Sequence, residues 1–275
     1  MTTYARFVKK FQDDRVLPPT APTSDQEVVA YLCRLYEASS SATTVQSSAS
    51  ALKWYFSFWP GPNPCASPWV SAFLEGLRRT KPATVHRAKI SQAELQLVLR
   101  SNQQRMRQRR VRAYVGLLYA ACLRPAEGLH LTREDITFNS DGMIVSIAKD
   151  KTNKKGSPRS IPVLGGTSPV CPVQVLKEWL QIAPDSPFVF PKFSDPKNPM
   201  PYDSARGDWK KLASILGISK MISLHSFRGG AATQAIKDGV PLDEVMRFGR
   251  WRQHKTLEAY VEISAATTPT TSLLS

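Results

Sequence analysis

Between residues 224 and 260 the chain reads LHSFRGGAATQAIKDGVPLDEVMRFGRWRQHKTLEAY, and reactive side chains recur in it at fixed intervals. His225 and Arg228 stand three apart, so on a helix they share one face and can converge on one ligand. Trp251 follows Arg228 after 23 residues, and Tyr260 follows Trp251 after 9. A second arginine, Arg124 in ACLRPAEGL, lies about a hundred residues upstream. A fold that uses these groups together must carry the chain away and back until distant segments meet. Two arginine forks, a histidine and a phenol suit metal-free attack on a phosphodiester. The forks hold the non-bridging oxygens and the phenol is the nucleophile.

The charge balance agrees with a polyanionic partner. Lys and Arg outnumber Asp and Glu by 37 to 22, a formal charge of +15, and nucleic acid is the commonest partner of such an excess. A chain of 275 residues, 42% hydrophobic, can bury one large core or two modest ones. Cys33, Cys65, Cys122 and Cys171 are scattered singly, which predicts reduced, mostly buried thiols in an intracellular protein. No apolar run approaches the roughly 20 residues of a membrane span, and MTTYARFVKKFQDDR lacks the apolar core of a signal peptide. A soluble protein that stays inside the cell is therefore expected. His86, His130, His225 and His254 are dispersed, and neither a carboxylate cluster nor a P-loop is present. The reading thus includes no metal, cofactor, ATP, membrane or small-molecule substrate.

Helical periodicity dominates the chain. A short helix over Tyr4–Asp14 precedes a proline-rich joint, and Ser24 with Glu27 forms a capping-box pair before Val28, Leu32, Leu35 and Tyr36. A second stripe carries Val45, Ala49, Leu52, Tyr55 and Trp59. Pro68 opens a third helix with Trp69, Phe73 and Leu77. The expected result is a helical bundle whose core includes Trp54, Trp59 and Trp69. RRTKPATVHRAK reads as an extended basic linker, with Arg87 and Lys89 available to a phosphate backbone or merely solvated. Ser91 and Glu94 cap a helix that runs through the arginine-rich QQRMRQRRVRAY to Leu123. That run suits a solvated face, an import signal or phosphate contacts by Arg109 and Arg112. Pro125 starts another helix, and Thr132 with Asp135 suggests a further cap. MIVSIA and RSIPV read as strands joined by the lysine-rich turn KDKTNKKGSP. Helices then recur over Pro172–Ile182, Ser204–Leu216, Ser226–Asp238, Leu242–Phe248 and about Lys255–Ile263. The Thr-rich tail closes the chain.

LRPAE, KDKT, LHSFRGGAAT, GRW and EAY, in this order, resemble the catalytic domain of the tyrosine recombinase (phage integrase) family, with Cre-like spacing. The resemblance implies a mainly α fold of the DNA breaking-rejoining type. An N-terminal helical core-binding (SAM-like) bundle, residues 1–80, and a basic linker, 81–89, precede a larger, mostly helical catalytic domain with a small β-hairpin, 90–264. A tail, 265–275, follows. It further implies a site-specific recombinase or integrase, of a kind carried by mobile elements, that acts on double-stranded DNA as a homo-tetramer. Tyr260 would form a 3′-phosphotyrosyl bond, held by Arg124 and Arg228. His225 would donate to the phosphate or take the tyrosine proton. Trp251 stands where the family has His or Trp and offers an indole N–H. Lys151, with Lys149 its rival, would protonate the leaving 5′-oxygen, and Lys154 and Lys155 would contact DNA. Glu127 would orient Arg124 or cap a helix. Two other readings remain: a type IB topoisomerase-like enzyme, and a non-catalytic DNA-binding descendant of a mobile element.

Overall fold

The computed structural model describes residues 3–15, 22–80, 88–147, 158–258 and 261. The chain divides into two compact units, residues 1–85 and 86–275. Both are mainly helical, and the second also carries two small antiparallel sheets.

In the first unit α1 (Thr3–Asp14), α2 (Asp25–Ser39), α3 (Ala42–Phe56) and α4 (Pro68–Thr80) close over Phe11, Val28, Leu32, Val45, Leu52 and Val70. Ser24 caps α2 by accepting from the Glu27 N–H at 3.1 Å. The Glu27 carboxylate, expected to reach back to Ser24, instead accepts from Arg15 Nε at 2.7 Å. The three tryptophans read as core lie on the surface. Helical register is the reason. Leu52 and Phe56 hold the inward positions of α3, which turns Trp54 outward against Tyr4 and Phe58. On α4 it is Val70, not Trp69, that faces inward. Phe11, Tyr31 and Phe56 supply the buried aromatic contacts, edge to face.

The second unit begins at α5 (Gln92–Arg100), closed by the full Ser91–Glu94 capping box. The helix expected to continue to Leu123 breaks after Arg100 and restarts as α6 (Met106–Ala120). Ser101 donates its hydroxyl to the Val98 carbonyl at 2.6 Å, and the SNQQ segment brings no apolar side chain to bury there. The arginine run splits as well. Arg110 is buried, donates to Asp208 at 2.8 Å and to the Pro191 carbonyl at 2.6 Å, and lies 4.0 Å from the Phe193 ring centre. Arg112 donates to the Leu99 carbonyl and to Glu178, which ties α5 and α6 to α8 (Pro172–Ile182). Its expected phosphate contact competes with this staple. Arg105 and Arg107 are exposed, and Arg109 is half-buried.

α6 is the axis of the unit. It packs against α8, α9 (Tyr202–Ile215) and α10 (Leu224–Lys237), with Tyr114, Val115 and Leu118 fully enclosed. β1 (Ile136–Phe138), β2 (Gly142–Ile147) and β3 (Arg159–Leu164) form one antiparallel sheet, in which Val145 faces Ile136 on one side and Ile161 on the other. The expected pair of strands is β2 and β3, and residues 148–157 between them lie outside the described set. β1 was not foreseen, nor was the hairpin of β4 (Pro191–Lys192) and β5 (Asp195–Pro199). Three residues are too few to display alternation, and PKFSDPKNP has the composition of a turn. A side chain at Gly230 would overlap the Ile90 backbone, so this glycine lets α10 lie directly on the segment before α5. Among the described residues no helix is long and apolar enough to cross a membrane.

Removing the carboxylate from the buried Arg110–Asp208 pair leaves a guanidinium in apolar surroundings. Asp208→Ala should therefore lose about 3–5 kcal/mol of stability. Equilibrium urea unfolding of the two proteins checks it, and a loss within 1 kcal/mol, roughly that of an ordinary surface pair, would contradict the assignment.

Candidate active site

Arg124 stands at the N-terminal end of α7 (Pro125–His130), where a first-turn proline gives up an N–H that no helical carbonyl would accept. The Tyr114 hydroxyl donates to the Pro125 carbonyl at 2.9 Å and fixes this turn to the core of α6. One turn on, Glu127 Oε2 accepts from the Arg124 backbone N–H at 2.8 Å, while Oε1 accepts from Arg124 Nη1. A single carboxylate thus caps the helix and orients the side chain at its start.

Arg228 lies in α10 and is 1% exposed. Its Nη1 donates to the Cys122 carbonyl at 2.7 Å and its Nη2 to the Gly249 carbonyl. The guanidinium sits 4.1 Å from the centre of the Trp251 ring. Trp251 follows α11 (Leu242–Gly249) and folds back over it, so that any Cβ at Gly249 would overlap the indole. Desolvation pulls the Arg228 pKa down to about 10, with repulsion from Arg124 and Arg250 in the same direction and attraction from Cys122 against it. The group remains cationic at neutral pH. His225 is exposed in the first turn of α10, so the shared face expected for His225 and Arg228 straddles the edge of the core. As arranged, Arg228 lends the cluster its charge from beneath Trp251, and no open fork faces solvent.

Arg250 belongs to the same cluster, although the motif spacing did not single it out. It ends α11 in the left-handed region, φ 61 and ψ 39. Its Nη2 donates to Glu127 Oε2 at 2.6 Å and to the Cys122 carbonyl at 3.3 Å. A signal was available in GRW. An arginine occupies the position after a short helix where glycine or asparagine is usual. Three guanidinium groups, Arg124, Arg228 and Arg250, stand against the single carboxylate of Glu127, and the surplus positive charge suits a phosphate oxyanion.

Lys89 is half-buried just before α5. Tyr260, Lys149, Lys151, Lys154, Lys155 and Arg87 lie outside the described residues. Among the described residues no group of three or more His, Cys, Asp or Glu could hold a metal ion.

The Tn1549 transposon integrase, solved in complex with transposon right end DNA, superposes with a TM-score of 0.71 at 15% identity, over 98% of this chain and 91% of that one. The XerH site-specific recombinase bound to palindromic difH substrate gives 0.66 at 15% identity, over 93% and 72%. An integrase/recombinase xerD homolog of Selenomonas ruminantium is 26% identical over 254 residues, 88% of this chain and 74% of the relative. The phage integrase family matches residues 89–267, and the chain belongs to that family.

The packing of Trp251 on Gly249 makes a local prediction. Gly249→Ala should force the indole off Arg228 at a cost of about 1–3 kcal/mol, visible as a lower melting temperature and an altered near-ultraviolet tryptophan signal. An unchanged signal would mean that the ring is not held there.

Proposed function

We propose that this protein is a site-specific DNA recombinase that cuts and rejoins strands through a covalent 3′-phosphotyrosyl intermediate, with Tyr260 as nucleophile. The observation that carries the proposal is the convergence of Arg124, Arg228, Trp251 and Glu127, from segments more than a hundred residues apart, on one electropositive cluster. Arg124 is the arginine nearest solvent and gives its fork to the scissile phosphate. Arg228 stabilises the pentavalent transition state through its field, and a direct contact requires the Gly249–Trp251 segment to yield. His225, exposed beside Arg228, hydrogen-bonds the phosphate or accepts the phenol proton. A phenol of ordinary pKa near 10 needs such help to attack at neutral pH. Lys151 protonates the leaving 5′-oxygen. The covalent bond conserves the phosphodiester energy, so religation requires no ATP.

Affinity comes mainly from phosphate contacts, consistent with the charge of +15. Residues 1–80 are assigned to DNA binding and residues 90–264 to catalysis, with Arg87, Lys89, Arg109, Lys154 and Lys155 on the backbone. It places the protein inside the cell with its DNA, working as a tetramer on two duplexes.

The test is a suicide duplex nicked beside the cleavage position. Wild type should form a covalent protein–DNA adduct in the presence of EDTA, and Tyr260→Phe should form none. Adduct formation by both would exclude Tyr260 as nucleophile. A lack of adduct with wild type, across duplexes that it binds, would leave only a DNA-binding role.

A further inference from the structure

Arg250 cannot be explained as a structural convenience. Its backbone is in the left-handed region, where an L-residue other than Gly, Asn or Asp pays roughly 1 kcal/mol, and the position asks only for a helix stop. Its side chain is then buried as a cation, which stabilises a fold no better than a well-packed apolar residue. Its Nε is buried without a hydrogen-bond partner among the described residues. A helix stop alone would be met by glycine.

What the arginine does achieve is a division of Glu127. Side-chain exposure falls from 22% at Arg124 to 7% at Glu127 and 2% at Arg250, so the three groups form a file from the surface inward. Oε1 of Glu127 holds Arg124, and Oε2 holds Arg250 at 2.6 Å together with the Arg124 backbone N–H. Without Arg250 the carboxylate would neutralise Arg124, the one guanidinium of the cluster with an exposed edge. With Arg250 present the file keeps a net positive charge, and the Arg124 fork is held at one oxygen only. Arg250 also adjoins Trp251 and shares the Cys122 carbonyl with Arg228, so it joins the arginine turn to the segment that leads toward residue 260.

We infer that Arg250 is a positioning residue for the phosphate-binding site: it takes up one oxygen of Glu127 and offsets its charge, so that Arg124 stays oriented toward the scissile phosphate in a cluster of net positive charge. The inference rests on the recombinase reading above. The Arg250 side chain is only 2% exposed, so its removal is expected to slow the chemical step and leave DNA binding nearly intact.

The experiment measures single-turnover cleavage of the nicked suicide duplex and, separately, DNA affinity, for wild type, Arg250→Gln, Arg250→Lys and Arg250→Gly, each with its melting temperature. Loss of a supporting hydrogen-bond partner of this kind typically lowers activity by 10–100-fold. Arg250→Gln should cleave about that much more slowly, with affinity within about threefold of wild type. Arg250→Lys keeps the charge without the planar fork and should fall between them. Guanidinium ions at millimolar concentration should partly restore Arg250→Gly, whereas the same concentration of sodium should not. If Arg250→Gln melts below the assay temperature, Arg250→Lys and the guanidinium rescue decide the matter in its place. Folded variants that cleave at the wild-type rate, or a loss that follows DNA affinity, would overturn the inference and leave the recombinase reading in place. A wild-type protein that forms no adduct would overturn both.

Discussion

Cys122 follows α6 in a left-handed backbone conformation, φ 47, and its carbonyl accepts from Arg228 at 2.7 Å and from Arg250 at 3.3 Å. These donors come from residues 106 and 128 positions later in the chain. A buried carbonyl must find a donor, and a charged donor makes the stronger bond. The end of the central helix is thereby tied to α10 and to the segment after α11. Glu127 extends the connection to Arg124, and Tyr114 anchors the same turn from below. If that carbonyl were turned elsewhere, two buried guanidinium groups would each lose a partner and the arginine turn would lose its fixed relation to Trp251.

The parts of this arrangement that could be read in advance are those with a local signature. Ser91 and Glu94 form their capping box, Pro125 starts its helix, and the long amphipathic stretches are helical. The order of LRPAE, LHSFRGG and GRW pointed to the family to which the chain belongs. The misses are tertiary. Which face of α3 is buried depends on the neighbouring helices, so the aromatic composition that suggested a tryptophan core was outweighed by Leu52 and Phe56. The arginine run read as a solvated face, an import signal or phosphate contacts, yet Arg110 meets Asp208 some 98 residues later, a contact that no local pattern announces. The partner of Arg250 likewise lies 123 residues upstream, and the only local hint was an arginine at a helix stop.

Burial has opposite effects on the cluster. It strengthens the field that three cations project at close range, since low-dielectric surroundings screen them less. It also holds Arg228 under Trp251, with its donors on backbone carbonyls and its pKa near 10. In the proposed reaction, preorganised charge of this sort would need no reorganisation as a phosphorane forms. Arg124 stands at the outer, more exposed end of the file, where the proposed function has it meet the phosphate.

The central claim is that these cations and Tyr260 act on one phosphate. It is tested most directly by a crystal structure of the Tyr260→Phe protein on its duplex. The expected result is one phosphate in contact with Arg124, and the ring at position 260 close enough that a hydroxyl would lie about 3–3.5 Å from the phosphorus. A phosphate held by Arg124 with that ring directed away from it, or a cluster that meets no phosphate, would contradict it.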